Sequence, residues 1–239
     1  DGDQALADIT YPCLLKPLKS ASGAPVGGTY TVCRDMESLR AARDGYVDAG
    51  FTEVLATEYI DSDIEIGLAG CAFGAEIEPY LPAVCVKKKF FRENNGSTTL
   101  GLLEPHYPVY QDMDAVTALL RGIGYSGVFD IELRIKPNGA YLLDANLRVG
   151  GCTYVMTKIN ANLPYIWCHY MATGELPPYK KIKENYYHFN EFFYIFDIKR
   201  GLIAKRELLR DLIRHNAFAV WNIRDPRPFF RRILSRRKR

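Results

Sequence analysis

The sequence predicts an α+β fold, and two observations predict it. Strand-like runs at 51–60, 63–74 and 80–91 follow one another as mostly antiparallel neighbours, with amphipathic helices mixed among them. The stretch GVFDIELRIKPNGAYLLDANLRVGG, 127–151, then has the form of a β-hairpin: two β-forming runs flank the turn signal Lys136-Pro137-Asn138-Gly139. A chain of 239 residues with 48% hydrophobic composition can bury the core of one large domain or two small ones.

The elements are justified in order. YPCLLKP, 11–17, reads as a short buried strand ending at a lysine, and a Gly/Ser/Pro loop follows over 18–30. TYTVC, 29–33, is a second strand. Residues 35–50 form an amphipathic helix with Asp35 as N-cap and Gly50 as C-cap. Strands follow at 51–60, 63–74 and 80–91, then a polar loop over 92–105 that leads into a short apolar run. A helix spans 111–124, with Asp112 or Asp114 near its start, and the hairpin comes next. NLPYIWCHYMATG, 162–174, is a compact helix; the aromatic run 186–198 reads as β; 204–216 is a helix again. No internal repeat or low-complexity segment precedes the tail.

Composition excludes several classes. No apolar run approaches the ~20 residues of a membrane helix. The opening DGDQALADIT is acidic and polar, unlike a signal peptide, and it lacks an initiating Met, so a fragment or processed form is expected. The six cysteines (13, 33, 71, 85, 152, 168) form no CxxC pair and are expected to be reduced and buried in a cytoplasmic protein. The four histidines lack metal-ligand spacing. The net charge of +3 hides an asymmetry: residues 226–239 hold seven of the 31 Lys/Arg and no acid, which leaves a body of net −4. Within that tail Phe229, Phe230, Ile233 and Leu234 lie at roughly helical spacing. A basic amphipathic helix suits an anionic membrane surface, and a frayed solvated terminus is the alternative. Nucleic acid is not the expected partner, because the body is acidic.

Three elements carry chemistry. Lys16 ends a strand and faces a loop containing Ser20, Ser22 and several glycines, whose backbone N–H groups can approach an anion. That loop is neither a GxxxxGK[ST] P-loop nor a GxGxxG fingerprint. TEYIDSDIEI, 57–66, closes one strand and opens an acidic one; its backbone can read a flat purine edge, and Asp63 and Glu65 can hold ribose hydroxyls. In the hairpin, Asp130, Glu132 and Arg134 share one face of the first strand, and Asp144, Asn146 and Arg148 share a face of the second. A register that joins those faces gathers carboxylates that repel one another, and a hard divalent cation with oxygen ligands relieves them. A solvated outer face of an ordinary hairpin is the competing reading.

Taken in order, these elements resemble the ATP-grasp superfamily of ATP-dependent carboxylate ligases. YPCLLKP with its Ser/Gly loop is similar to the first phosphate-binding strand, TEYID to the hinge where adenine sits, and FDIELRIKPNGAYLLDANLRVGG to the metal-binding hairpin. The resemblance runs from about 11 to about 172 and is strongest to carbamoyl-phosphate-synthase-like and biotin-carboxylase-like members. It implies two α+β lobes with mostly antiparallel sheets gripping a nucleotide: a small lobe over 1–60, a large lobe over 61–225, and the basic tail 226–239.

The resemblance also implies roles. Glu132 and Asp144 would bridge two magnesium ions to the ATP phosphates, with Asn146 completing the shell. Arg148 would stabilise the phosphorylated carboxylate, and Lys16 would contact the phosphates with Ser20 and Ser22 beside it. Glu58, Tyr59 and Ile60 would bind adenine, and Asp63 or Glu65 the ribose. Lys87, Lys88, Lys89 and Arg92 would offer a cation to the phosphates, Lys88 standing for the group. The implied reaction activates a small carboxylic acid as an acyl phosphate and passes it to an amine, as in an amino-acid ligase of the D-aspartate type. A carbamoyl-phosphate-synthase or carboxylase-like enzyme, or a non-catalytic nucleotide-binding module, is the alternative. Two departures stand out: Asp144 occupies a position where glutamate is usual, and 61–65 is one residue out of step. Members normally carry a further domain ahead of this region, so a missing N-terminal domain or a partner subunit is expected. The expected location is cytoplasmic, peripheral at the inner membrane face if the tail binds lipid.

Overall fold

The structure, a computed structural model, describes residues 9–20, 30–62, 64–75, 77–90, 97–106, 113–214 and 216–236. The chain divides into two compact units, Asp1–Asp61 and Ser62–Arg239.

The first unit is a three-stranded antiparallel sheet in the order β2-β1-β3, with β1 at Cys13–Ser20, β2 at Thr31–Cys33 and β3 at Phe51–Glu58. Helix α1, Met36–Asp48, packs on it: Leu39 joins Cys13, Leu15 and Cys33 in a fully buried cluster. Asp35 starts α1 by accepting from the Ser38 N–H at 2.8 Å, while Ser38 Oγ accepts from the Asp35 N–H at 3.2 Å. This reciprocal cap satisfies two of the donors a helix start leaves open. After α1 the chain reverses at Gly50, whose φ of 86° favours glycine. Strand β1 does not stop at Lys16; it continues to Ser20 because β3 pairs with it that far. The register slips between Pro17 and Lys19, where Pro17 has no N–H to donate.

The second unit is a seven-stranded sheet in the order β10-β9-β6-β5-β4-β7-β8. Its strands are β4 (Ile64–Phe73), β5 (Tyr80–Phe90), β6 (Thr98–Glu104), β7 (Ser126–Lys136), β8 (Gly139–Asn146), β9 (Tyr186–Phe189) and β10 (Asn216–Phe218). Among the described residues only the β10–β9 pairing is parallel. β4 is an interior strand, buried from Glu65 to Phe73. Its even residues Ile66, Leu68 and Ala72 pack with Val116 and Leu120 of α2 (Met113–Gly122). Its odd residues Ala69, Cys71 and Phe73 pack with Val155 and Met156 of α3 (Thr153–Lys158) and Leu163 and Ile166 of α4 (Leu163–Thr173). The period of two thus divides one strand between two cores, each fully buried aliphatic side chain contributing about 1.5–3 kcal/mol. Gly70 has no room for more: a Cβ there would stand 2.5 Å from the Phe129 ring and from the Tyr80 carbonyl oxygen.

Several expectations are corrected. The apolar end of 92–105 is strand β6. The aromatic run 186–198 is not one strand: β9 ends at Phe189 and helix α5 occupies Glu191–Lys199. Asn190 makes the break by accepting from the Phe193 N–H at 3.2 Å, a cap worth about 1 kcal/mol that overrides the β preference of the aromatics. The helix expected over 204–216 is α6, Lys205–Leu212, and the chain then enters β10. The tail contains helix α7, Arg227–Arg236, and it is packed: the Phe229 ring lies 5.2 Å from Phe192 and 5.2 Å from Trp221. Five of the six cysteines are buried thiols; Cys168 is exposed. Among the described residues no helix is long and apolar enough to cross a membrane.

Candidate functional site

The register of β7 and β8 builds the site. Asp130 stands opposite Asn146 and Glu132 opposite Asp144. Directly opposed residues share one face of a sheet, so the polar groups of both strands converge. A bulge follows Glu132, with Leu133 opposite Leu142, and it keeps that face aligned only on the Asn146 side. Asn146 Nδ2 donates to Asp144 Oδ2 at 2.8 Å, and Arg148 Nη2 donates to Asn146 Oδ1 at 2.8 Å. Gly150 lets this edge close: a Cβ there would overlap the Asp130 carboxylate.

A buried cation serves the cluster from β5. Lys87 Nζ donates to Glu132 Oε2 at 3.1 Å and is paired with Glu65 on β4. Arg134 grips the other Glu65 oxygen at 3.1 Å through both Nε and Nη2. Burial alone would lower the Lys87 pKa, but Glu132 and Glu65 outweigh it and hold the ammonium above its ordinary value. Asp130 is pushed up to about 6, by burial first and then by the Glu132 charge.

The other expected residues fall as follows. Glu65, expected as one of two candidate ribose ligands, is 2% exposed and engaged by Lys87 and Arg134 inside the sheet. The three consecutive lysines go three ways, because a bulge lies between Lys87 and Lys89. Lys87 faces the carboxylates, Lys88 is exposed, and Lys89 binds Glu207 and Asp211, each at 2.7 Å. In the first unit Lys16 lies mid-strand opposite Leu55, Glu58 is exposed at the end of β3, the Tyr59 N–H donates to the Pro12 carbonyl at 3.1 Å, and Ile60 is buried. Ser22, Asp63 and Arg92 lie outside the described residues, as does the side chain of Ser20.

The two carboxylates and one amide at Glu132, Asp144 and Asn146 are oxygen donors, which fits a hard divalent cation. Among the described residues no group of three or more His, Cys, Asp and Glu gathers as a metal cage; Glu132, Asp144 and Asn146 would supply a partial shell. A partial shell suits an ion that takes its remaining ligands from phosphate and water.

Beside the hairpin is a cavity of about 330 Å³. Its lining includes Lys87, Asp130 and Glu132 together with His188, Asn190 and Arg232. No local signal marked these last three, which come from β9, its cap and the tail helix. His188 is 4% exposed, its Nδ1 is buried without a hydrogen-bond partner among the described residues, and burial with the nearby Lys87 charge lowers its pKa to about 4. The ring is therefore neutral at pH 7. Because its ordinary value is 6.5, native stability is expected to fall as pH drops from about 6.5 to about 4, by about 3 kcal/mol. Urea unfolding across that window checks this, and His188→Gln should remove that part of the slope.

No family model matches this chain. It is 28% identical over 178 residues to the formate-dependent phosphoribosylglycinamide formyltransferase of Wolinella succinogenes, a match covering 72% of this chain and 43% of that protein. The enzyme of that name from Geobacter metallireducens is 29% identical over 180 residues, with 72% and 43% covered. The chain thus spans less than half the length of these curated relatives. Among solved structures it resembles the biotin carboxylase domain of Hydrogenobacter thermophilus 2-oxoglutarate carboxylase, determined with MgADP and bicarbonate: TM-score 0.56, 20% identity, 78% of this chain and 43% of that one. It also resembles an L-amino acid ligase from Bacillus licheniformis (TM-score 0.57, 15% identity, 76% and 46% covered). A third is N5-carboxyaminoimidazole ribonucleotide synthetase from Thermus thermophilus (TM-score 0.53, 17% identity, 76% and 47% covered).

Proposed function

From the ATP-grasp fold that this chain has, we propose that it carries the nucleotide and metal chemistry of an ATP-dependent ligase that activates a carboxylate and transfers it to an amine. The observation that carries this reading is the direct opposition of Glu132 and Asp144, with Asn146 and Arg148 tied in sequence along the same edge. Glu132, Asp144 and Asn146 would hold magnesium, which would supply positive charge against the ATP phosphates. Lys16 adds a positive charge to the phosphates, and Glu58 to Ile60 supply the main chain that receives adenine. A carboxylate oxygen attacks the γ-phosphorus, its bond to the ADP oxygen breaks, and an acyl phosphate forms. Arg148 holds that anion. The amine nitrogen then attacks the acyl carbon, the C–O bond to phosphate breaks with its electron pair going to the phosphate oxygen, and the proton lost from nitrogen passes to the departing inorganic phosphate. The curated relatives are named for formate, the smallest carboxylate, which supports a small acid; an amino acid remains the favoured class.

The experiment is ADP release with magnesium against a panel of small carboxylic acids and amines. Dependence on one acid supports the ligase. ATP binding without ADP release under any acid favours the non-catalytic module.

Peripheral contact with anionic membrane belongs to this reading too. Phe230 and Leu234 stand 52% and 60% exposed on α7, one helical turn apart, beside Arg227 and Arg231. Co-sedimentation with phosphatidylserine vesicles is expected and should fall in Phe230→Ser/Leu234→Ser; equal recovery of both proteins would discard it.

A further inference from the structure

We propose that the cavity beside the hairpin seats the amine substrate, that this substrate is a small zwitterion of the amino-acid class, and that Arg232 receives its carboxylate. The proposal rests on the ligase reading above. The cavity draws its charged and polar groups from separate elements. β7 contributes Asp130 and Glu132, the middle strand β5 contributes Lys87, and β9, four places from β7 in the sheet order, contributes His188, with Asn190 after it and Arg232 from α7. An ammonium fits toward Asp130 and a carboxylate toward Arg232. A simple anion would meet the two acids, and an apolar ligand would leave buried polar groups without partners. A volume of about 330 Å³ lies at the low end for ligand pockets, which suits a molecule of amino-acid size.

The Arg232 wall is built, not incidental. The Glu191 carboxylate accepts from the backbone N–H groups of Ala219 at 3.1 Å, Val220 at 2.9 Å and Trp221 at 2.5 Å, which fixes the segment where Ala219 and Val220 line the cavity. Phe229 anchors α7 against Phe192 and Trp221. The Arg232 guanidinium then lies over the Phe192 ring, 4.6 Å from its centre. Stacking fixes the plane of a guanidinium and presents its N–H groups edge-on, the geometry that a carboxylate takes up in pairs. The basic tail therefore contributes a specificity-determining residue.

The test is calorimetric titration of the chain with single amino acids, with their methyl esters, which lack the carboxylate, and with their N-acetyl forms, which lack the ammonium. Wild type is compared with Arg232→Gln and Arg232→Lys, each checked for an unchanged unfolding midpoint. At least one free amino acid should bind, roughly tenfold or more tighter than its ester or its N-acetyl form. Arg232→Gln should lose the same factor, and Arg232→Lys should keep part of it. In ADP release, KM for the amine should rise while kcat stays near wild type. Absence of binding by every amino acid, or equal binding of acid and ester, overturns the proposal. If Arg232→Gln does not stay folded, the ester comparison and Arg232→Lys decide alone. Acid-dependent ADP release with an amine that ignores Arg232 would sink this proposal and spare the ligase. Amino-acid binding through Arg232 with no ADP release under any acid would do the reverse.

Discussion

Glu132→Gln and Asp144→Asn are each expected to lower acid-dependent ADP release by roughly a hundredfold or more. Each change keeps the size of the side chain and removes one negative charge from the opposed pair. A magnesium ion needs those charges, since amide oxygens alone bind it weakly. The fold should survive both changes. Asp144 is exposed on the last strand of the sheet, so its replacement should shift stability by less than about 0.5 kcal/mol. Glu132 is shared with Lys87, but Lys87 keeps its buried partner Glu65. The measurement is coupled ADP release over a magnesium titration, beside urea unfolding of each variant. Excess magnesium should restore part of the rate in Asp144→Asn, because one carboxylate remains. Turnover at the wild-type level in both variants would falsify the assignment of this hairpin as the metal site.

Glu65→Gln is expected to destabilise the second unit by about 3–5 kcal/mol. Glu65 is the only acid that both Lys87 and Arg134 touch among the contacts described, and all three are nearly sealed from water: their side chains are 2%, 3% and 8% exposed. Neutralising the middle charge takes from Arg134 the carboxylate it grips and leaves Lys87 the more exposed Glu132, and desolvated charge is costly when its pairing is weakened. Replacing the whole triad with apolar residues should cost less than breaking it. Urea unfolding of nucleotide-free protein reads the effect, with nucleotide affinity measured in parallel. A ribose ligand would behave differently: Glu65→Gln would weaken nucleotide binding and leave the unfolding midpoint in place. That outcome would restore the sequence reading of this residue and remove the structural one.

The two variants probe different layers of one network, Arg134–Glu65–Lys87–Glu132, which runs from the inside of the sheet to its functional edge. Its inner half orders the lysine; its outer half reaches the proposed metal-binding edge. Lys87 is in this view a positioning residue for the Glu132 carboxylate as well as a lining group of the cavity.

What could be read from the sequence alone was local. The hairpin was legible because strand periodicity is two and a Pro-Asn-Gly turn joins its halves, so Glu132, Asp144 and Asn146 could be placed on candidate faces before any coordinates. The Asp35 cap was legible for the same reason: its hydrogen bond closes within four residues. The α+β class followed from the strand order. Tertiary structure alone decided everything that spans distant parts of the chain. Which of Lys87, Lys88 and Lys89 meets the carboxylates depends on a bulge against β6, and one residue of slip turns a side chain to the opposite face. Glu65, read from the sequence as a candidate ribose ligand, is the centre of a buried triad because Lys87 and Arg134 arrive from the strands on either side. His188 and Arg232 reach the cavity only because β9 pairs with β6 and Phe229 docks α7 on α5. Such contacts depend on register and packing between segments that are not neighbours in the chain, and no local pattern of residue types encodes them.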